Sequence, residues 1–158
     1  MNVYQKLKNL NQYTTIIYCL GGNQLILHLQ YSLIDLLKQE TKKVYPFEAC
    51  AMLFGKLSKN EAVVEKIEIT QNMLHSTTRF QIDPEDVAAI ITKAEKEGQE
   101  FIGLFHSHAA RATPSLIDLK YMRLWGDSLW LIISSTDGTL AAYQLIDGNV
   151  EEVTIRIK

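Results

Sequence analysis

The chain has 158 residues, which is enough for one compact domain and too few for two full ones, because domains cluster near about 100–150 residues. Apolar residues make up 47% and charged residues 22%, as in soluble globular proteins, so extensive disorder is excluded. The net charge of -2 excludes a general nucleic-acid binder, whose phosphate contacts need a concentrated basic surface.

No apolar segment approaches the roughly 20 residues that span a bilayer, and the apolar run Thr14–Leu20 is too short for the core of a signal peptide. The two cysteines, Cys19 and Cys50, are too few for a disulfide scaffold and indicate reduced thiols, although one disulfide between them stays open. We therefore expect a cytoplasmic protein that has neither a membrane nor a nucleic acid as its partner.

The first part of the chain predicts an extension, two strands and a helix. Residues 1–24 are expected to form an N-terminal extension in which Thr14–Leu20, β-branched and apolar, is a strand. Leu25–Gln30 predicts a second strand. Ser32 is expected to open a helix, because Asp35 follows three residues later as in a capping box.

The segment Ala62–Ile69 alternates between residue types with the period of two that is typical of a strand. Its pattern predicts that Val63, Ile67 and Ile69 lie on one face and Val64 on the other.

The second part of the chain predicts two helices and a series of strands. Asp83-Pro84 is a strong start for a helix that ends near Gly98, and Pro114-Ser115 starts another helix that ends near Trp125. The predicted strands are Phe101–Phe105, Leu129–Ser134, Leu140–Ile146 and Val150–Ile157, and the predicted hairpin turns are Asp137-Gly138 and Asp147-Gly148. This order of elements predicts a single α+β domain with a mixed sheet flanked by helices.

His106 and His108 are candidate metal ligands at the end of an apolar strand. Alternate side chains of a strand share a face, so both imidazoles can point at one site while Ser107 points away. Asp118 lies near the first turn of the next helix, which can fold its carboxylate back beside the histidines. Two histidines and a carboxylate suit zinc, with a fourth position left to water.

A metal-activated water needs a carboxylate outside the metal shell to take its proton. Glu48 is the candidate because it stands in an otherwise apolar run, where a buried acid needs a partner or a function. Each residue also has a structural interpretation. A lone H-x-H pair is weak evidence for a metal, and Glu48 could merely pair with a lysine. Ser115 and Asp118 could serve only as a helix cap.

Together, these residues resemble the signature of the JAMM/MPN zinc metalloprotease family. The run Glu48–Gly55, E-A-C-A-M-L-F-G, is similar to the family's E-x-C-G-x-L-x-G element. His106–Asp118, H-S-H-A-A-R-A-T-P-S-L-I-D, resembles its H-S-H-P…P-S-x-x-D signature, and the segment Asn72–Pro84 fits its lead into the second helix. The resemblance covers Leu25–Ile146. It implies a compact prokaryotic or archaeal-type member with an MPN/cytidine-deaminase-like fold in residues 25–158.

The resemblance also implies a role for each site residue. His106, His108 and Asp118 would hold one Zn²⁺ per chain, Glu48 would be the general acid/base, and Ser115 would position the water or stabilise the developing oxyanion. The implied activity is that of a zinc-dependent, deubiquitinase-like isopeptidase. Its substrate would be the bond between the C-terminal glycine of a ubiquitin-like modifier and a lysine amine.

Two alternatives to this activity stay open. One is a peptidase that releases an amino acid or small group from a sulfur-carrier protein of the ubiquitin fold. The other is a non-catalytic MPN scaffold subunit, a class that usually lacks one or more of the four site residues that this chain keeps. The implied partner is a ubiquitin-like modifier or its protein conjugates, or else the proteasome or another protein complex.

Overall fold

The computed structural model describes residues 25–158, so the predicted extension at 1–24 and its strand at Thr14–Leu20 lie outside the described residues. The helices are α1 (Tyr31–Val44), α2 (Pro84–Lys96) and α3 (Leu116–Trp125). The strands are β1 (Ile26–Leu29), β2 (Cys50–Leu57), β3 (Glu61–Thr70), β4 (Glu100–His108), β5 (Leu129–Ser134), β6 (Leu140–Ile146) and β7 (Asn149–Ile157). No helix within 25–158 is long and apolar enough to cross a membrane.

The strands form one mixed sheet in the order β1-β3-β2-β4-β5-β6-β7. The pairs β1/β3, β1/β7 and β4/β5 are parallel, and the remaining neighbours are antiparallel. The predicted single α+β domain with helices and a mixed sheet is confirmed. The sheet differs from that prediction in being closed like a barrel, because β1 pairs with both β3 and β7.

Each face of the sheet carries an apolar cluster. The cluster that includes side chains from α1 contains Leu27, Ile34, Leu37, Leu53, Phe105 and Leu131. The cluster that includes side chains from α2 and α3 contains Met52, Val87, Ile91, Leu104, Met122 and Trp130. Phe105 and Leu104 therefore mark the two faces of β4, and the residues that follow Leu104 at intervals of two point towards α2 and α3.

A β-bulge in β3 changes the predicted alternation of this strand. Phe54 pairs with Lys66 but Gly55 pairs with Val64, so one extra residue of β3 lies between them. A Cβ atom on Gly55 would stand 1.9 Å from the carbonyl oxygen of Val63, so only glycine allows this close approach. Because of the extra residue, Val64 lies on the core side with Ile67. The prediction that Val63 shares a face with Ile67 while Val64 lies on the other face is therefore wrong.

The predicted starts of two helices have different outcomes. The expectation that Ser32 caps α1 is wrong, because the helix begins at Tyr31 and its N-cap, Gln30, makes no side-chain capping bond. The Tyr31 amide instead donates to the carbonyl of Lys158 at 3.0 Å. Asp83 does cap α2, since its carboxylate accepts a hydrogen bond from the Glu85 amide at 2.8 Å.

The Asp147-Gly148 hairpin is confirmed as a two-residue turn, because Ile146 pairs with Asn149 across it. Both turn residues have positive φ, 50° for Asp147 and 82° for Gly148, as a type I′ turn requires.

Candidate metal centre

The C-terminal end of β4 places the two histidines on one face of the sheet, as predicted. His106 is fully buried and His108 is 8% exposed. Their Nε2 atoms lie 2.9 Å apart. The rings follow Leu104 in the strand alternation, so they project towards the side of the sheet that α2 and α3 cover.

Asp118 comes to the histidines from the first turn of α3. Its Oδ1 lies 3.2 Å from His106 Nε2, and its Oδ2 lies 3.2 Å from His108 Nε2. The Ser115 amide donates to Asp118 Oδ2 at 2.6 Å, and the Asp118 amide donates to Ser115 Oγ at 3.2 Å, which completes a capping box. The capping interpretation is therefore correct, and the same carboxylate also contacts both imidazoles.

Glu48 lies just before β2 and is 4% exposed. Its Oε1 is 3.9 Å from His108 Nε2, so the carboxylate stands beside the histidine pair. Its backbone is held by a neighbouring loop, since the Glu48 amide donates to the Ser76 carbonyl and the Asn72 side chain donates to the Glu48 carbonyl at 3.1 Å. The expectation that a buried acid in this run needs a partner is met by His108.

Burial and mutual charge shift the pKa of each site residue. Burial raises the pKa of the Glu48 carboxyl to about 7, against the attraction of His108. Burial also acts to raise the pKa of Asp118, but hydrogen bonds from His106 and His108 outweigh it and lower that pKa well below its usual range. Burial lowers the pKa of His106. For His108 burial acts in the same direction, yet the contacts with Asp118 and Glu48 leave its pKa raised.

The surroundings of the two imidazoles differ. The Nδ1 of His108 lies 3.2 Å from the Arg111 carbonyl, which fixes the ring with its Nε2 turned to the site. His106 is held by aromatic rings: Phe80 stacks on it with centroids 4.6 Å apart, and Trp130 meets it edge-on at 5.7 Å. The His106 Nδ1 finds no hydrogen-bond partner among residues 25–158.

The donor set and its spacing fit a metal ion. Ligand atoms of Glu48, His106 and His108 lie within 4.8 Å of one another, and all three side chains are buried. Asp118 adds oxygens 3.2 Å from both imidazoles. Zinc bonds of about 2.0–2.1 Å give a tetrahedron with edges of about 3.3 Å, close to the observed separations between the nitrogens and the Asp118 oxygens. This part of the structure could therefore hold a metal ion.

Several supporting residues were not predicted as parts of the site. Asn72 binds the carbonyls of Glu48 and Arg79 and accepts from two amides, so it organises the loop between β3 and α2. Phe80 comes from the same loop, and both residues lie in the segment that carried part of the family resemblance. Tyr143 on β6 donates to the Ala112 carbonyl at 2.9 Å and so fixes the loop that leads to Ser115. No local pattern in the sequence marks Tyr143.

Comparison with known proteins places the chain in a family. Residues 31–146 match the Prok-JAB family, the prokaryotic homologs of the JAB domain, and the chain belongs to this family. It is 36% identical over 113 residues to the desampylase of Pyrococcus furiosus, covering 70% of this chain and 76% of that one. It is 24% identical over 140 residues to the CysO-cysteine peptidase of Mycobacterium tuberculosis, covering 86% and 94%.

A solved structure shares the fold. The solution structure of a Desulfitobacterium hafniense protein superposes with a TM-score of 0.72 at 25% identity, covering 85% of this chain and 93% of that one. The suspected JAMM/MPN membership is thereby confirmed at the level of the prokaryotic JAB domain.

Proposed function

We propose that the protein is a zinc-dependent isopeptidase that hydrolyses the bond between the C-terminal glycine of a ubiquitin-like modifier and a lysine amine. The observation that carries this proposal is the convergence of Glu48, His106, His108 and Asp118 in one buried site. Membership in the Prok-JAB family supports a hydrolytic enzyme. Residues 25–158 would form the JAMM/MPN metalloprotease domain.

The distances favour His106, His108 and Asp118 as the zinc ligands. Asp118 oxygens lie 3.2 Å from both Nε2 atoms, whereas the nearest Glu48 oxygen is 3.9 Å from His108. Asp118 also has a backbone donor, the Ser115 amide, that orients its carboxylate. Zinc in such a site lowers the pKa of water enough to make a nucleophile near neutral pH.

Glu48 would be the general acid/base. Its carboxylate lies beside the three proposed ligands, but at a greater distance than separates the ligands from one another. From there it can accept a proton from the attacking water and pass it to the leaving amine. Ser115 would contact the reacting carbonyl through its hydroxyl, because its amide is already engaged by Asp118.

The similar proteins support two substrate classes. Desampylases from Pyrococcus furiosus and Haloferax volcanii, 36% and 25% identical to this chain, favour removal of a protein modifier. The CysO-cysteine peptidase covers more of this chain, 86%, and favours the second candidate, release of an amino acid from a ubiquitin-fold sulfur carrier. Both reactions break an amide at the C-terminus of a carrier protein, so the same site serves either one.

The test compares both substrate classes directly. Purified protein loaded with one equivalent of zinc is incubated with lysine-linked conjugates of ubiquitin-like proteins from its host, and separately with carriers that end in an added cysteine. Mass spectrometry identifies the released product. We expect cleavage of the lysine conjugates after the terminal glycine. Cleavage of the carrier–cysteine substrates alone would establish the second candidate. A chain that retains none of the added zinc and cleaves neither substrate would contradict both enzyme candidates, as expected of a scaffold subunit.

A further inference from the structure

Ser107 lies between the two histidines and contacts Ala49, the residue that follows Glu48. The Ala49 amide donates to Ser107 Oγ at 2.8 Å, and the Ser107 amide donates to the Ala49 carbonyl at 3.0 Å. Ser107 is 1% exposed, so water cannot replace these contacts freely. Both polar backbone groups of Ala49 are therefore bound by this single residue.

The hydroxyl of Ser107 acts at the point where the ladder between β2 and β4 stops. Regular pairing begins at Cys50, which lies opposite His106. In a hydrogen-bonded pair of a regular antiparallel ladder the two residues exchange both backbone bonds, but here the side-chain oxygen of Ser107 accepts the bond from the Ala49 amide. The chain can thus leave the ladder at Ala49 and carry Glu48 towards the histidines.

The backbone of Glu48 itself is bound by the loop between β3 and α2. Its amide donates to Ser76, and its carbonyl accepts from Asn72. These bonds tie Glu48 to the loop and not to the strand that carries the histidines. The Ser107–Ala49 bonds make that second connection, only one residue away from Glu48 and from each histidine.

We propose that Ser107 is a positioning residue, whose hydroxyl holds the Ala49 backbone so that the Glu48 carboxylate stays within reach of the His106–His108 pair. This inference rests on the proposed function for its catalytic consequence. Its structural part, the bond between the Ser107 hydroxyl and the Ala49 amide, can be tested without measuring enzyme activity.

The first variant is Ser107→Ala, which removes the hydroxyl and keeps the histidines. We expect zinc content to stay near one per chain, and the Ala49 amide to exchange with solvent about 5- to 10-fold faster, as loss of one buried hydrogen bond allows. Turnover, kcat, is expected to fall about 10- to 100-fold with KM unchanged, because a small misplacement of a catalytic group has that effect. Ser107→Thr keeps a hydroxyl and is expected to restore both the exchange protection and kcat.

A double variant tests whether Ser107 acts through Glu48. In the Glu48→Gln background, Ser107→Ala is expected to cause little further loss of kcat, since the group that it positions is already gone. An equal loss in both backgrounds would overturn the proposal, and so would unchanged exchange of the Ala49 amide in Ser107→Ala.

Ser128→Ala is the matched control, because it also removes a partly buried hydroxyl, one that donates to the Trp125 carbonyl. Ser128 lies just before β5, and the first residue of β5 pairs with Gly103, away from the histidine end of β4. It is expected to change neither Ala49 exchange nor kcat. If the wild-type chain hydrolyses no conjugate, the proposed function fails, while amide exchange at Ala49 still decides the role of Ser107.

Discussion

The two halves of the site are held by different kinds of contact. Glu48 comes from the segment just before β2, and His106 and His108 come from β4. Bonds between residues far apart in sequence, such as Ala49 to Ser107, fix their positions. Asp118 belongs to α3, and hydrogen bonds with Ser115, three residues away, orient it. The strand-held half therefore depends on the assembled sheet, whereas the helix-held half is largely a local structure. Substitutions can disturb either half separately.

The largest expected effect comes from the strand-held half. His106→Ala or His108→Ala removes one of the two imidazoles, whose Nε2 atoms lie 2.9 Å apart. Most of the bound zinc and nearly all turnover should therefore be lost. Elemental analysis of the purified variants checks the metal content. Undiminished zinc in both variants would show that the ligand assignment is wrong.

The next prediction separates proton transfer from metal binding within the same half. Glu48→Gln keeps the shape of the side chain but removes its basicity, so kcat should fall by about 10²- to 10⁴-fold. Zinc content should be unchanged, because Asp118 and not Glu48 is the closer oxygen donor to the histidines. Steady-state kinetics together with metal analysis checks this, and normal turnover would assign the proton to another group.

The helix-held half is tested at Ser115, whose hydroxyl caps α3 while its amide binds Asp118. Ser115→Ala should lower the free energy of unfolding by about 1 kcal/mol through the lost cap. It should also lower kcat by about 10²-fold through the lost oxyanion donor. Zinc should be retained because the amide that orients Asp118 remains.

Ser115→Gly is the control for this variant, since glycine is nearly as good at the N-cap but has no hydroxyl. Stability measured by urea denaturation should largely recover while kcat should not. Recovery of both would mean that Ser115 is only a cap.

The smallest effect is expected at Tyr143, the residue of β6 that binds the loop leading to Ser115. Tyr143→Phe leaves the Ala112 carbonyl without its donor, which should lower the free energy of unfolding by about 1 kcal/mol. Zinc content should be unchanged. Tyr121→Phe removes the hydroxyl of an exposed tyrosine on α3 and serves as the control. Equal urea midpoints for the two variants would contradict the role given to Tyr143.

The site could be predicted from the sequence to the extent that its signals are local. The H-x-H spacing placed His106 and His108 on one face, and the S-x-x-D pattern predicted the start of α3; both are observed. The position of Ser107, pointing away from the histidine face, also followed from the strand period. Its contact with Ala49 did not, because the two residues are 58 positions apart and no local pattern links them.

The fold was least predictable where distant segments decide the local structure. The bulge opposite Gly55 arises from the approach of two strands, so the alternation within β3 alone gave the wrong face for Val63. Ser32 has the residue type of a helix cap, yet α1 begins one residue earlier, where Tyr31 bonds to the distant Lys158. The pairing of β1 with β7 closes the sheet, and neither segment alone carries a sequence signal that predicts it.

The parallel pairing of β1 with β7 has a consequence for how the protein folds during synthesis. Ile26 leaves the ribosome long before its partner in β7, Thr154, because the two residues lie far apart in the chain. A contact between such distant positions raises the contact order and carries a large loop-closure entropy, so we expect it to form late in folding. By contrast, β4 and β5 are separated only by α3, so this part of the sheet can assemble earlier. Closure of the sheet must therefore wait until β7 has been synthesised.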